Sequence, residues 1–246
     1  MTLALPTGFA ETFAAILLAH VLADFMMQTN WMIRHKRRPL VLLLHIAVVF
    51  GMTTAATGGV WQVALPIALA HLVIDILKTY SPARLRDTLS AFLLDQLAHL
   101  ATLVVAAWLW PGAMQAGALA PWASDLLAPM ILISGFVVSV QAGGFAVGLL
   151  TAKFVAHLAQ ETQDGLPDAG RLIGKLERTL IFLLIALDQP AGIGFLIAAK
   201  SILRYDTTAQ QKAGEYVIIG TLASFTWALA MGFGTFALLE ILSGTP

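Results

Sequence analysis

The chain contains no cysteine. Disulfides, thiolate metal sites and cysteine nucleophiles are therefore excluded. Charge is scarce as well: Asp, Glu, Lys and Arg make up 11% of 246 residues, against about 25% in a soluble domain. Fourteen basic and fourteen acidic side chains cancel to a formal net charge of +0, so no bulk field draws nucleic acid or acidic partners. Ordinary soluble enzymes, nucleic-acid binders and disordered chains fall away together. What is present instead is apolar, with 59% hydrophobic residues and a mean hydropathy of +0.83. The composition points to an all-α, polytopic membrane protein.

A spanning helix needs about 20 mainly apolar residues. Such stretches run from Glu11 to Gln28, Leu40 to Thr57, Val60 to Lys78, Ser90 to Trp110, Trp122 to Lys153 and Tyr216 to Leu242. The first lacks a basic leader and reads as a span rather than a cleaved signal. A further apolar stretch, Thr179 to Lys200, is interrupted by Asp188-Gln189-Pro190-Ala191-Gly192.

Basic residues orient the chain. Arg34, Lys36, Arg37 and Arg38 follow the first span, Lys78, Arg84 and Arg86 the third, and Lys153, Arg171, Lys175 and Arg178 the fifth. The N-terminus is thus expected outside, with the basic loops in the cytoplasm. Lys200, Arg204 and Lys212 obey that rule if residues 179–200 re-enter as a hairpin buried in protein. Six spans plus such a hairpin are expected, with seven spans as the alternative. Trp31, at an inner end, and Trp61, Trp108, Trp110 and Trp122, at outer ends, fall at the levels that tryptophan prefers.

Ionisable groups inside a bilayer are costly and mark function by default. The first four spans hold seven: His20 and Asp24, His45, His71 and Asp75, and Asp95 and His99. Each His/Asp pair is four residues apart, so both side chains project from one helix face. The first and third spans run inward and read His-x-x-x-Asp; the fourth runs outward and reads Asp-x-x-x-His. Every aspartate then lies toward the cytoplasm, with its histidine about 6 Å deeper. All seven groups converge on one depth.

The pattern repeats. Leu18-Ala19-His20-x-x-x-Asp24 matches Leu69-Ala70-His71-x-x-x-Asp75, and Leu43-Leu44-His45 is echoed by Leu97-Ala98-His99. The first helical hairpin therefore reads as duplicated in the second, about an axis along the membrane normal. That symmetry sets His20 opposite His71, Asp24 opposite Asp75, and His45 opposite His99. A division follows into a four-helix His/Asp half, residues 1–115, and a C-terminal helical half, residues 116–246, within one membrane domain.

Imidazole and carboxylate donors suit Zn²⁺ above all, with Fe²⁺ or Mn²⁺ as alternatives. Seven donors exceed one tetrahedral shell, so either two ions share the site or some groups orient the others. Hydrogen bonding between helices is the bland alternative. Gln28 ends the first span beyond Asp24 and is a candidate substrate contact. Lys78 reads as snorkelling to the interface, and His35 and His157 as loop residues rather than ligands.

The C-terminal half carries its own polar cluster. Glu177 and Arg178 open the apolar hairpin, Lys200, Ser201 and Arg204 close it, and Glu215 begins the last helix. Arg and Lys there suit a phosphate or carboxylate; anchoring by the positive-inside rule is the alternative. Gly135, Ser139 and Gly143, and Gly220, Ser224, Ala228 and Gly232, are small-residue stripes that let helices approach closely.

The segments Leu18–Gln28, His71–Asp75 and Leu94–His99, with Gly174–Arg178, Ala199–Arg204 and Gly214–Tyr216, resemble a bacterial membrane family known as domain of unknown function 3307. That resemblance implies an inner-membrane protein and brings no assigned reaction. Two other groups share only local chemistry. Cation-diffusion zinc transporters also carry His-x-x-x-Asp on two helices, similar to His20/Asp24 and His71/Asp75, but this chain lacks their cytoplasmic metal-binding domain. Zinc hydrolases of the alkaline-ceramidase type also draw His and Asp from several helices, in another order.

Three functions are consistent with this pattern. In a metal-dependent hydrolase, Asp95 serves as base and the basic hairpin holds a lipidic or anionic substrate. In a divalent-metal transporter, the paired motifs form a transit site, although no polar residues mark an exit through the outer halves of the first four spans. A metal-stabilised scaffold is the third. The surplus of ligands favours the hydrolase.

Overall fold

The computed structural model describes residues 5–158, 169–203 and 211–244, and every regular element among them is helical. Six helical stretches are long and apolar enough to cross a bilayer: Phe9–Met27, Pro39–Ala56, Trp61–Tyr80, Leu89–Leu109, Ala120–Ala152 and Val217–Ser243. They correspond to the six stretches read from the sequence. The chain groups into two compact units, Met1–Val137 with Ala237–Pro246, and Val138–Phe236.

In the first unit, α1 (Phe9–Leu22) runs on through a π-helical turn, Ala23–Met27. There follow α2 (Asn30–His35), α3 (Pro39–Ala56), α4 (Trp61–Tyr80), α5 (Ala83–Arg86), α6 (Leu89–Leu109), α7 (Ala113–Ala116) and α8 (Ala123–Val137). Helix α1 is central and packs against α3, α6 and α8, while α4 packs against α3 and α6. Ala14, Ala15 and Ala19 are fully buried on α1; methyl side chains let neighbouring backbones approach where no apolar driving force separates helix from lipid. The unit extends past residue 115 because α8 lies along α1.

Local chemistry sets the helix ends. Thr29 and Thr88 cap α2 and α6, their hydroxyls accepting from the amides of Met32 and Ala91 at 3.2 and 3.1 Å, and Pro39 opens α3 with its fixed φ. Between α3 and α4, Gly58 takes φ 70° and its carbonyl accepts from Ala118 N at 2.8 Å. A Cβ there would sit 2.6 Å from Leu119 N. Only glycine fits that turn.

The helices are polar inside and apolar outside. Leu43 and Leu44 are exposed on α3 while His45 is buried; Leu69, Val73 and Leu77 are exposed on α4 while His71 and Asp75 are buried; Leu94 and Leu97 are exposed on α6 while Asp95 and His99 are buried. Leucine outward and aspartate inward is the arrangement lipid imposes. Trp31, Trp61, Trp108, Trp110 and Trp122 are all exposed.

The second unit begins with a π-helical turn, Val138–Ala142, and contains α9 (Gly143–Leu158), α10 (Ala169–Ala186), α11 (Ala191–Leu203) and most of α12 (Gln211–Ser243). Helices α10 and α11 form an antiparallel hairpin. Ile181 and Leu184 pack with Ile193 and Leu196, and Lys200 Nζ pairs with Glu177 at 2.6 Å across its open end. The turn falls in the interrupted stretch read from the sequence. Asp188 adopts φ 53°, and Gln189 N donates to Leu184 O at 2.8 Å, closing α10. The apolar part of α11, Ala191–Lys200, is shorter than a crossing requires.

Candidate metal centre

The seven ionisable residues of the first four spans meet in one buried layer of the first unit. His20 comes from α1, Asp24 from the π turn, His45 from α3, His71 and Asp75 from α4, and Asp95 and His99 from α6. In α4 the i, i+4 geometry brings His71 Nε2 to 3.6 Å from Asp75 Oδ2. On α1 the wider π turn changes this: His20 Nε2 is 4.0 Å from Asp24 Oδ2. The other oxygen, Asp24 Oδ1, instead reaches His45 Nε2 at 3.3 Å and His71 Nε2 at 3.4 Å. Such turns recur at functional sites.

Four atoms stand out by their mutual spacing. His45 Nε2 and His71 Nε2 are 3.1 Å apart; each is 3.3–3.4 Å from Asp24 Oδ1 and 3.6 Å from Asp75 Oδ2. A tetrahedral ion bound at about 2.0–2.2 Å places its ligands about 3.3–3.6 Å from one another. The two carboxylate oxygens, Asp24 Oδ1 and Asp75 Oδ2, are buried and have no hydrogen-bond partner, as are Asp95 Oδ1 and His99 Nε2. Buried polar atoms are normally paired, so this donor set fits a cation. The His/Asp groupings able to hold one overlap: His20, Asp24 and His71; His45, His71 and Asp75; Asp75, Asp95 and His99.

The rings also pack on each other. Exchange of the two hairpins would map the His20–His99 pair onto His71–His45, and those ring centroids are 5.0 and 5.1 Å apart. The carboxylates are less alike. Asp24 faces histidines, whereas Lys36 Nζ donates to Asp75 Oδ1 at 2.7 Å and Lys78 Nζ to Asp95 Oδ2 at 2.7 Å. Gln96 Nε2 also donates to Asp95 Oδ2, at 3.2 Å. With neutral imidazoles, three carboxylates against two ammonium groups leave the layer one negative charge. That is a field suited to a cation.

The two lysines were not part of the site read from the sequence. Lys36 lies in a run of basic residues, Arg34 to Arg38, which reads as a topology signal. Lys78, which the sequence places as snorkelling to the interface, reaches instead across to the carboxylate of Asp95 on α6. Its position three residues after Asp75, on nearly the same face, was the available signal. His35 stays apart, with Nδ1 2.9 Å from Trp31 O and its ring 5.2 Å from the Trp31 ring.

Gln28 follows the π turn, and its Nε2 is buried without a partner. The remaining expected contacts lie in the second unit. Arg178 is buried, donating Nε and Nη2 to Val140 O at 3.1 and 3.0 Å and Nη1 to Ser224 Oγ at 2.9 Å. Val140 lies in the π turn, whose irregular hydrogen bonding leaves carbonyls to be satisfied by side chains. Glu177 pairs with Lys200, and Glu215 is exposed. The side chains of Lys153, His157, Ser201 and Lys212, and the whole of Arg204, lie outside the described residues.

A membrane bundle with a buried His/Asp layer is the class that fold and site define. Residues 12–123 match the family described as Protein of unknown function (DUF3307). That match spans α1 to the start of α8 and includes all seven His/Asp residues. No curated protein and no solved structure matches the chain.

Proposed function

We propose that the His/Asp layer is a divalent-metal centre, zinc by donor type with iron or manganese as alternatives, and that the chain is a membrane-embedded metal-dependent hydrolase. The substrate class is lipidic or anionic. One observation carries the reading: beyond the four donors of a tetrahedral shell, Asp95 Oδ1 and His99 Nε2 stand buried and unpaired in the same layer. A closed structural site has no use for such a surplus. A second ion or an activated water has.

The metal would supply a bound water of pKa about 7, as a fifth ligand or on a second ion. His45, His71, Asp24 and Asp75 are the ligands closest to one shell. Asp95 is the candidate base. Lys78 and Gln96 hold its Oδ2 and leave Oδ1 free to accept a proton. Lys36 fixes Asp75 through one oxygen and leaves the other for the ion. Gln28 offers an unpaired buried amide for a substrate oxygen.

A second reading has its own support. The compact set of two histidines and two aspartates, with the imidazole nitrogens 3.1 Å apart and each 3.3–3.6 Å from the two carboxylate oxygens, closes a shell without water, as a transit site for zinc would. The two readings part on Asp95. Asp95→Asn should keep bound metal and abolish hydrolysis of ester- and phosphate-bearing lipids screened in detergent micelles. Metal flux into liposomes that persists without any hydrolysis favours transport.

A further inference from the structure

The second unit contains a cleft of about 320 Å³ among α9, α10, α11 and α12. Its lining includes Arg171, Arg178, Lys200 and Glu177. Lys200 and Glu177 neutralise each other at 2.6 Å. Arg178 is different: it is 3% exposed, and its hydrogen bonds go to uncharged acceptors, Val140 O and Ser224 Oγ. A buried guanidinium that hydrogen-bonds only neutral acceptors, its neighbour Glu177 being bonded to Lys200, is costly, and it completes its shell most favourably with an anion.

Glycine keeps the space open. A Cβ at Gly144 would come within 3.3 Å of Arg178 Nη2, and one at Gly174 within 3.1 Å of Nη1. At Gly148 a Cβ would meet nothing within 4 Å, so that wall is open where any larger residue would fill it. The Thr151 hydroxyl is committed to Val147 O at 2.8 Å.

We infer that this cleft binds a phosphoryl anion, with Arg178 as its buried cation and Arg171 at its rim. The cleft and its chemistry lie wholly within the second unit and are independent of the metal centre. The phosphoryl group has two possible sources, a free phosphate or a lipid headgroup.

The test is isothermal titration of the detergent-purified full chain with inorganic phosphate and with dihexanoyl phosphatidylglycerol, using dihexanoylglycerol as the phosphate-free control. Saturable binding of phosphate and phosphatidylglycerol assigns the site to the phosphoryl group alone; binding of phosphatidylglycerol only, with none to the control, assigns it to a lipid headgroup. Arg178→Gln should weaken either by about tenfold or more. Because Arg178 also ties Val140 to Ser224, Gly148→Leu is the second variant, filling the cleft without touching the guanidinium, and it should abolish binding. The inference is overturned if neither phosphate-bearing probe binds, if the control binds as well as phosphatidylglycerol, or if binding survives in Gly148→Leu.

Discussion

His45 Nε2 lies 3.1 Å from His71 Nε2, on two different helices, and both face the same oxygen of Asp24. Two imidazole nitrogens and a carboxylate oxygen at these separations would form one face of the proposed coordination shell. Replacing either histidine removes a donor at the centre of the layer. His45→Ala and His71→Ala should each lower zinc affinity of the purified protein by well over tenfold, read by competition with a chromophoric chelator. Unchanged affinity in both would remove these two residues from the shell.

Lys36 donates to Asp75, a ligand of the proposed metal centre, at 2.7 Å. In Lys36→Met the buried carboxylate loses its cation, and breaking such a pair costs up to about 3 kcal/mol. A bound divalent ion replaces that charge. The metal-free variant should therefore melt below the metal-free wild type, and added zinc should raise its midpoint by more than it raises the wild type's. An equal increment in both proteins would mean that Lys36 does not act through the metal ligands.

Metal removal should itself destabilise the first unit. An ion present at about 100 times its dissociation constant adds about 2.7 kcal/mol to the folded state. Thermal scans before and after EDTA should differ, with zinc restoring the midpoint and magnesium failing to, since imidazole donors select against a hard oxygen-seeking ion.

Gly58→Ala tests the turn between α3 and α4. The left-handed backbone costs an alanine about 1–2 kcal/mol, and its Cβ would press on the amide nitrogens of Ala118 and Leu119, at 2.7 and 2.6 Å. A lower melting point with unchanged zinc stoichiometry is expected. Gly59→Ala, whose Cβ meets nothing within 4 Å, should cost less.

Much of this arrangement is legible in the sequence, for reasons particular residues make plain. His71 and Asp75 are four apart on a helix otherwise lined by Leu69, Val73 and Leu77, so their shared face is fixed by helical geometry and its inward direction by lipid. The break at Asp188-Gln189-Pro190 likewise announces the end of α10. The π turn at Ala23–Met27 is not announced: its residues have no proline or glycine to mark it, and tertiary contacts of Asp24 select it. Nor are the lysine partners. Lys36 is one of four basic residues between 34 and 38, and which of them reaches Asp75 depends on how α2 and α3 meet. The burial of Arg178 against Val140 is a long-range contact that no local pattern encodes.

The absence of cysteine makes the orientation directly measurable. Gln62 and Arg84 are both exposed; Gln62 lies at the start of α4 and Arg84 in α5, just beyond its other end. With the N-terminus outside, Gln62→Cys should react with a membrane-impermeant maleimide on intact cells, and Arg84→Cys only after permeabilisation. The reverse pattern would invert the assigned topology and place the His/Asp layer in the outer half of the bundle.

The central claim is that the His/Asp layer holds metal. Elemental analysis of the detergent-purified chain after zinc loading and desalting, beside Asp24→Asn and His71→Ala variants that elute as the same folded species, addresses it most directly. One or two tightly held ions per chain in the wild type, lost in both variants, is the predicted result; no retained ion in the wild type, or the same content in all three proteins, would contradict it.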